Sequence, residues 1–262
     1  MAEFIAGTEV EFVEMMNKKV KELGLKNTHF KNCTGLDEEE HYSSAYDMAI
    51  IAKELLKHEK ILEFSSVYED YLREDTDNKF WLVNTNKLVR FYEGADGLKT
   101  GHTDAAKYCL AATAKRDDLR LIAIVLGEEN SQTRNSEAMS LLDYGFNNYK
   151  IEILKTTDDI VKEIRLDKAT SSKISLVPLN DIAILSKKSA DTKKYTYDIK
   201  VTNNNLPLKI GDEVGKIIVK DSDNNKVKEE VLTVTENVDK LNFLELFGKT
   251  ITDMMVGNMN FV

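Results

Sequence analysis

Apolar positions recur every three or four residues near the start of the chain, which predicts an amphipathic helix. Thr8 and Glu11 have the spacing of a capping box, in which each side chain satisfies an N–H group at the helix start. Gly24 is placed to end this helix, because glycine favours the position that follows a helix C-terminus. Its apolar face consists of Val10, Val13, Met16, Val20 and Leu23. Residues 4–7 before it are typical of the tail of another helix.

Helical spacing returns in four later stretches. Ser43 or Ser44 caps a second helix that continues to Leu56, since serine accepts a hydrogen bond from the first turn. A short helix is predicted over residues 60–65, and a longer one over 131–149. The last pattern covers residues 241–255, with its apolar positions on one side. This terminal helix either docks on the preceding domain or lies on a surface, with a membrane as the candidate surface.

Two apolar runs, 108–114 and 119–126, enclose the polar turn Arg116-Asp117-Asp118 and predict an antiparallel hairpin. Both runs are nearly continuous in apolar residues. We therefore expect helices to cover both faces of this sheet. Up to about residue 150 the pattern predicts an α+β domain.

Beyond residue 150 the pattern changes to short strands separated by turns. Asp221–Asn225 is a turn-rich hairpin loop between two of these strands. Strands at this spacing predict a small all-β sandwich or barrel. The predicted strands cover 160–166, 182–185, 195–201, 214–220 and 227–234. The predicted organisation is an α+β domain over 1–149, an all-β domain over 150–238 and an amphipathic helix over 239–262.

Composition narrows the classes of partner. The 262 residues are 42% hydrophobic and 31% charged, as in an ordinary globular protein. A net charge of −9 argues against nucleic acid, whose binding favours clustered Lys and Arg. Cys33 and Cys109 lack the spacing of a metal site, and the four histidines are scattered, so we expect no metal and no cofactor. No apolar run is long enough to predict a membrane-spanning helix.

The candidate chemistry lies in residues 94–104, which lead into the first strand of the hairpin. Here Lys99, Thr100 and Gly101 follow one another. Lysine supplies a positive charge and threonine a hydrogen-bond donor. Glycine lets another backbone lie close to the protein's own. Together they suit a ligand that carries a carboxylate.

A phosphate-binding loop is the first alternative for this stretch. It is excluded because that loop needs glycine directly before the lysine, where Leu98 stands. The chain then enters a strand and not a helix, so no helix N-terminus faces a phosphate. Taken singly, Lys99 is typical of an exposed loop lysine and His102 of a partly buried turn histidine.

Read together, the motifs resemble the low-molecular-mass penicillin-binding proteins of the serine-type D-alanyl-D-alanine carboxypeptidase family. The similarity covers the whole chain, closely to about residue 150 and more loosely beyond. It implies a partial penicillin-binding-protein/β-lactamase-like domain with helices on an antiparallel sheet. The segments that carry it are Phe12–Lys19, Glu22–Phe30, Tyr42–Ala49, Asn84–Leu88, Asp96–Thr103 and Tyr108–Leu110.

The resemblance implies acyl transfer. A serine attacks the peptide bond before the terminal D-alanine of a peptidoglycan stem peptide, and water hydrolyses the acyl-enzyme. By position, Lys99 attracts the terminal carboxylate and Thr100 hydrogen-bonds it. Gly101 lets the substrate pair along the strand edge. The backbone N–H of His102 is one of two oxyanion donors, and Thr103 completes the implied substrate-binding set.

Two of the three family motifs are absent. The family uses Ser-x-x-Lys, Ser-x-Asn and Lys-Thr-Gly, and only the third is found here in its expected setting. Residues 1–7 are similar to the segment after Ser-x-Asn. We therefore expect an N-terminally truncated fragment, inactive alone, with the nucleophile and its lysine upstream of Met1. The alternative is a non-catalytic cell-wall peptide-binding or scaffold protein that retains the fold.

The family also usually has glycine after Thr-x-x-Ala, and Lys107 stands there, so we expect its long side chain to crowd or recharge the site. The implied partners are stem peptides ending in D-Ala-D-Ala, with β-lactams as inhibitors of the complete enzyme. The implied location is extracytoplasmic, peripheral on the outer face of the cytoplasmic membrane, with residues 239–262 as a surface anchor. The first seven residues have neither a basic segment nor an apolar core, so we expect that no signal peptide is present in this chain.

Overall fold

The computed structural model describes residues 1–189 and 194–256. The chain folds into two compact units, Met1–Tyr149 and Lys150–Val262. Among the described residues, no helix has the length and apolar character needed to cross a membrane.

The first unit contains six helices in its described residues, and the helices predicted there are confirmed. They are α1 Ala2–Ala6, α2 Glu9–Glu22, α3 Ala45–Leu55, α4 Lys60–Ser65, α5 Leu88–Phe91 and α6 Ser131–Asn148. Ser44 is the cap of α3, and its side chain accepts a hydrogen bond from the N–H of Asp47. Gly24 has φ +69° and follows the C-terminus of α2, as predicted.

The predicted capping box of α2 is only half formed. The Thr8 hydroxyl oxygen accepts a hydrogen bond from the Glu11 N–H at 3.2 Å. The Glu11 carboxylate accepts the Thr8 hydroxyl proton at 3.0 Å. That carboxylate is the group that a complete box would offer to the Thr8 backbone N–H.

The central sheet of this unit has three strands in the order β3-β4-β5. The predicted hairpin is confirmed as β4 (Lys107–Arg116) and β5 (Leu119–Glu128). The candidate stretch is itself a strand, β3 (Ala95–Thr103), antiparallel to β4. Among the described strands β3 pairs with β4 alone, so its other edge is open. A separate hairpin of β1 (Glu69–Leu72) and β2 (Phe80–Val83) precedes it.

The two faces of the sheet differ in burial, which corrects the expectation that both are covered. Leu110, Ala112 and Ala114 on one face are at most 1% exposed. Here α6 approaches so closely that a Cβ on Gly145 would lie 2.4 Å from a methyl carbon of Leu121. On the opposite face Thr113 is fully buried, whereas Ala111, Ile122 and Ile124 are half-buried. The helices of this unit therefore cover the second face only in part.

The second unit is built from strands, as predicted. Its strands are β6 Tyr149–Lys155, β7 Lys162–Arg165, β8 Lys173–Pro178, β9 Ile182–Lys187, β10 Thr196–Val201, β11 Gly215–Lys220 and β12 Lys226–Val234. They form a five-stranded sheet, β10-β11-β12-β8-β7, and a two-stranded sheet, β6-β9. One apolar core joins residues of both sheets, including Ile174, Ile182 and Leu232. A last helix, α7, covers Phe243–Val256.

Candidate functional site

A cleft of about 860 Å³ in the first unit runs along β3. Residues 99–103 of β3 form one wall, with Tyr108 and Cys109 of β4 beside them. The remaining lining comes from residues 34–36, from Thr85 and Lys87, and from the first turns of α6. The structure thus brings all five predicted site residues into one cleft.

Three contacts fix the start of β3 and so position the motif. The Asp96 carboxylate forms an ion pair with Arg120 of β5 at 2.8 Å. The Asp96 carbonyl accepts the Ser65 hydroxyl proton at 2.7 Å. The Asn86 amide donates to the Gly97 carbonyl at 2.9 Å, and Asn86 is only 1% exposed. These contacts therefore hold the start of β3 in place where the strand enters the cleft.

The Lys-Thr-Gly residues each have a distinct environment. The Lys99 ammonium donates a hydrogen bond to the Thr100 carbonyl in an exposed position. The hydroxyl oxygens of Thr100 and Thr85 lie 2.6 Å apart. Gly101 is exposed, and an added Cβ would meet nothing nearer than the Cβ of Cys109 at 3.8 Å. The fold itself has room for a side chain at Gly101, so packing within the unit does not require glycine there.

His102 and Thr103 complete the wall. The His102 ring contacts the Tyr108 ring in a tilted arrangement, with the ring centroids 4.1 Å apart. The Thr103 hydroxyl donates to the Asp37 carboxylate at 2.6 Å, and the Ala105 N–H donates to the same carboxylate at 3.1 Å. These hydrogen bonds, led by that of Thr103, hold the pKa of Asp37 below its ordinary value. Asp37 thus ties the loop carrying residues 34–36 to the end of β3.

Arg134 is a cleft residue that sequence reasoning missed. It is 4% exposed, and burial lowers the pKa of its guanidinium. Two of its nitrogens donate to the Asn135 side-chain oxygen at 3.1 and 2.8 Å, and Nη2 also donates to the Thr85 carbonyl at 3.4 Å. Among the described residues it has no carboxylate partner, and its Nη1 has no acceptor. The burial of Arg134 could have been predicted from the helical spacing, because Arg134 lies on the buried face of α6 with Ala138 and Leu142.

The cleft is electropositive. Lys87, Lys99 and Arg134 line it, and none of the described residues that line it is acidic. A concave site with one sign of charge concentrates ligands of the opposite sign. In the described part of the chain, no cluster of His, Cys, Asp and Glu could hold a metal ion. The arrangement suits an extended, anionic organic ligand.

Lys107 is exposed at the start of β4, between the cleft residues Ala106 and Tyr108 and opposite Thr103 in the register of β3 and β4. It is not itself among the described residues that line the cleft. Its φ is +56°, in the left-handed region that glycine adopts without steric cost, which accounts for a glycine preference at this position. The expectation that its side chain crowds or recharges the site stays a prediction.

Comparison with known families identifies both units. Residues 1–130 match the family model described as D-alanyl-D-alanine carboxypeptidase. Residues 150–240 match the model of the penicillin-binding protein 5 C-terminal domain. The class of protein is therefore that of the low-molecular-mass penicillin-binding proteins.

Individual relatives agree with these matches. The chain is 48% identical to D-alanyl-D-alanine carboxypeptidase DacF of Bacillus subtilis, covering 97% of this chain and 65% of the relative. It is 34% identical to DacA of Escherichia coli, covering 96% of this chain and 61% of that relative. The crystal structure of penicillin-binding protein 5 from Haemophilus influenzae superposes with a TM-score of 0.65 at 30% identity. That superposition covers 91% of this chain and 69% of the crystallised one.

The chain belongs to the D-alanyl-D-alanine carboxypeptidase family. It spans less than two thirds of the length of the DacF and DacA relatives.

Proposed function

We propose that the cleft binds the D-Ala-D-Ala end of a peptidoglycan stem peptide, and that the whole protein is a serine-type D-Ala-D-Ala carboxypeptidase. Such an enzyme removes the terminal D-alanine through an acyl-enzyme, and β-lactams inhibit it. The observation that carries the proposal is the open edge of β3 in a cleft with Lys99 and Arg134 and no acidic lining among the described residues. The family membership supports the same reaction.

Recognition follows from the chemistry of the cleft. Lys99 and Arg134 attract the terminal carboxylate, and Arg134 Nη1, which has no acceptor among the described residues, can donate a charge-assisted hydrogen bond to it. The Thr100 hydroxyl supplies a further donor. The substrate backbone adds along the open edge of β3 as an extra strand, and Gly101 gives it room.

The catalytic half of the reaction needs groups beyond these. The backbone N–H of His102 is proposed as one oxyanion donor, and loss of one such donor typically costs about 10² to 10³ in rate. No serine in this sequence begins Ser-x-x-Lys. Ser131 lines the cleft, but no base is hydrogen-bonded to it among the described residues, so it lacks the activation that a nucleophile needs. We therefore propose binding without turnover for this chain alone.

The second unit and α7 suggest an extracytoplasmic location at the membrane surface. We propose that residues 239–262, which follow the β domain, 150–238, contact lipid at the outer face of the cytoplasmic membrane. Four apolar side chains of α7 are exposed, namely Phe243, Leu244, Phe247 and Ile251. Their exposure favours the surface alternative over docking on the β domain. Another apolar residue of this helix, Met254, lies where side chains are not described.

The test is equilibrium binding of diacetyl-L-Lys-D-Ala-D-Ala to the full chain by isothermal titration calorimetry. Lys99→Ala removes a charge-assisted hydrogen bond, so we expect affinity to fall about tenfold or more. Lys115→Ala is the matched control, because Lys115 is an exposed lysine of the same sheet that does not line the cleft. Equal affinity of wild type and Lys99→Ala would overturn the proposal.

A further inference from the structure

We propose that Thr85 is a positioning residue that sets the direction of the Thr100 hydroxyl proton and holds Arg134 in place. The proposal rests on the proposed function of the cleft. It concerns a residue outside the Lys-Thr-Gly motif, on the segment between β2 and α5. Thr85 touches the carboxylate-binding groups and acts through them.

Thr85 contacts both groups at once. Its hydroxyl oxygen lies 2.6 Å from that of Thr100. Its carbonyl accepts a hydrogen bond from Arg134 Nη2 at 3.4 Å. Thr85 therefore contacts the Thr100 side chain through its hydroxyl and the Arg134 guanidinium through its backbone carbonyl.

The neighbours of Thr85 hold it rigidly. Asn84 donates from its side chain to the carbonyls of Ser65 and Val67, at 3.1 and 2.9 Å. The Asn86 side chain is buried, donates to the Gly97 carbonyl and accepts from the Leu88 N–H. Thr85 itself is exposed to the cleft between these two anchored amides. Groups positioned by such supporting contacts hold their geometry better than free side chains do.

A bound carboxylate determines which of the two threonine hydroxyls donates the hydrogen bond between them. A carboxylate can only accept, so Thr100 must donate its single hydroxyl proton to it. The Thr85–Thr100 hydrogen bond then requires Thr85 as the donor and Thr100 as the acceptor. Such a chain, from Thr85 to Thr100 to carboxylate, polarises each bond and strengthens the last one. Without Thr85 the Thr100 hydroxyl is free to rotate.

The experiment compares Thr85→Val with Thr85→Ser in binding of diacetyl-L-Lys-D-Ala-D-Ala to the full chain. Valine matches the shape of threonine without the donor, and we expect it to weaken binding about three- to tenfold. Serine keeps the donor and should restore most of the affinity. Thr76→Val is the matched control, because the Thr76 hydroxyl is bonded within its own turn, donating to the Arg73 carbonyl and accepting from the Asn78 N–H, and Thr76 does not line the cleft. Thr76→Val should bind as wild type does.

A double-mutant cycle separates positioning from a merely structural role. If Thr85 acts through Thr100, adding Thr85→Val to Thr100→Val should cost little further affinity, because the acceptor is already gone. Wild-type affinity in Thr85→Val, or full additivity in the double variant, overturns the inference. Lys99→Ala separates failure of the positioning role from failure of the proposed function. If Lys99→Ala weakens binding while Thr85→Val does not, the positioning role alone fails.

Discussion

Lys107→Gly tests the account of the backbone at the start of β4. Lys107 has φ +56°, and a residue with a Cβ pays about 1–2 kcal/mol in this left-handed region. Glycine avoids that cost but adds freedom to the unfolded chain, worth about 0.4–1 kcal/mol. Lys107→Gly should therefore raise the free energy of unfolding by about 0.5–1 kcal/mol. For a unit of this size the gain corresponds to roughly 1–4 °C in melting temperature.

Lys115→Gly is the control in the same strand. Lys115 is exposed like Lys107, but it is not among the residues with positive φ. Glycine there should destabilise by about 0.5–1 kcal/mol, since it brings only its entropic cost. Urea unfolding can be followed through the fluorescence of Trp81, the single tryptophan of the chain, which lies in the first unit. Shifts of the two variants in the same direction would refute the reasoning.

Three further predictions concern the cleft. Gly101→Ala should raise the urea midpoint slightly, because the fold accommodates a Cβ there and alanine restricts the unfolded chain, and it should lower affinity for the D-Ala-D-Ala peptide on the order of tenfold, because the bound strand leaves no room for the Cβ; unchanged affinity would contradict this. Folding lowers the pKa of the Asp37 carboxyl. The ionised carboxylate therefore stabilises the folded state fully above its ordinary pKa of 3.8, and this stabilisation is lost as the pH falls through the lowered pKa. Asp37→Asn should therefore be less stable than wild type above about pH 4, with the difference vanishing in more acidic buffer, and a pH-independent difference would argue against the assignment. A fluorescent penicillin should not label this chain covalently, because no serine begins Ser-x-x-Lys; a labelled band on a denaturing gel would disprove that.

The helices of the first unit could be predicted because their signals are local. The Ser44 cap and Gly24 act through hydrogen bonds and dihedral angles within one turn. The hairpin of β4 and β5 was equally clear from its two apolar runs. These features require no knowledge of distant residues.

The strand β3 was harder to predict, because its conformation comes from pairing with β4. Residues 95–103 include two glycines and lack strict alternation, so their own propensity for a strand is weak. The hairpin of β1 and β2 was missed for a similar reason, since the charged run between Tyr71 and Phe80 is typical of a loop.

The cleft residues also divide into those that could be predicted from the sequence and those that could not. The Lys-Thr-Gly motif could be recognised because its three residues are consecutive in the sequence, and the family resemblance gave these residues an expected role. Thr85 and Arg134 join the cleft only through the tertiary fold, from the β2–α5 connection and from α6. No spacing in the sequence predicts the contact of Thr85 with Thr100, fifteen residues along the chain.

The central claim is that the cleft recognises a terminal carboxylate, and changing the ligand tests it most directly. Binding of diacetyl-L-Lys-D-Ala-D-Ala to the full chain should be compared with binding of the same peptide ending in a carboxamide. The amide keeps the shape and the backbone pairing but loses the charge that Lys99 and Arg134 attract. We expect the carboxylate peptide to bind about tenfold or more tightly, with an advantage that shrinks as salt is added. Equal affinity of the two peptides would contradict the account.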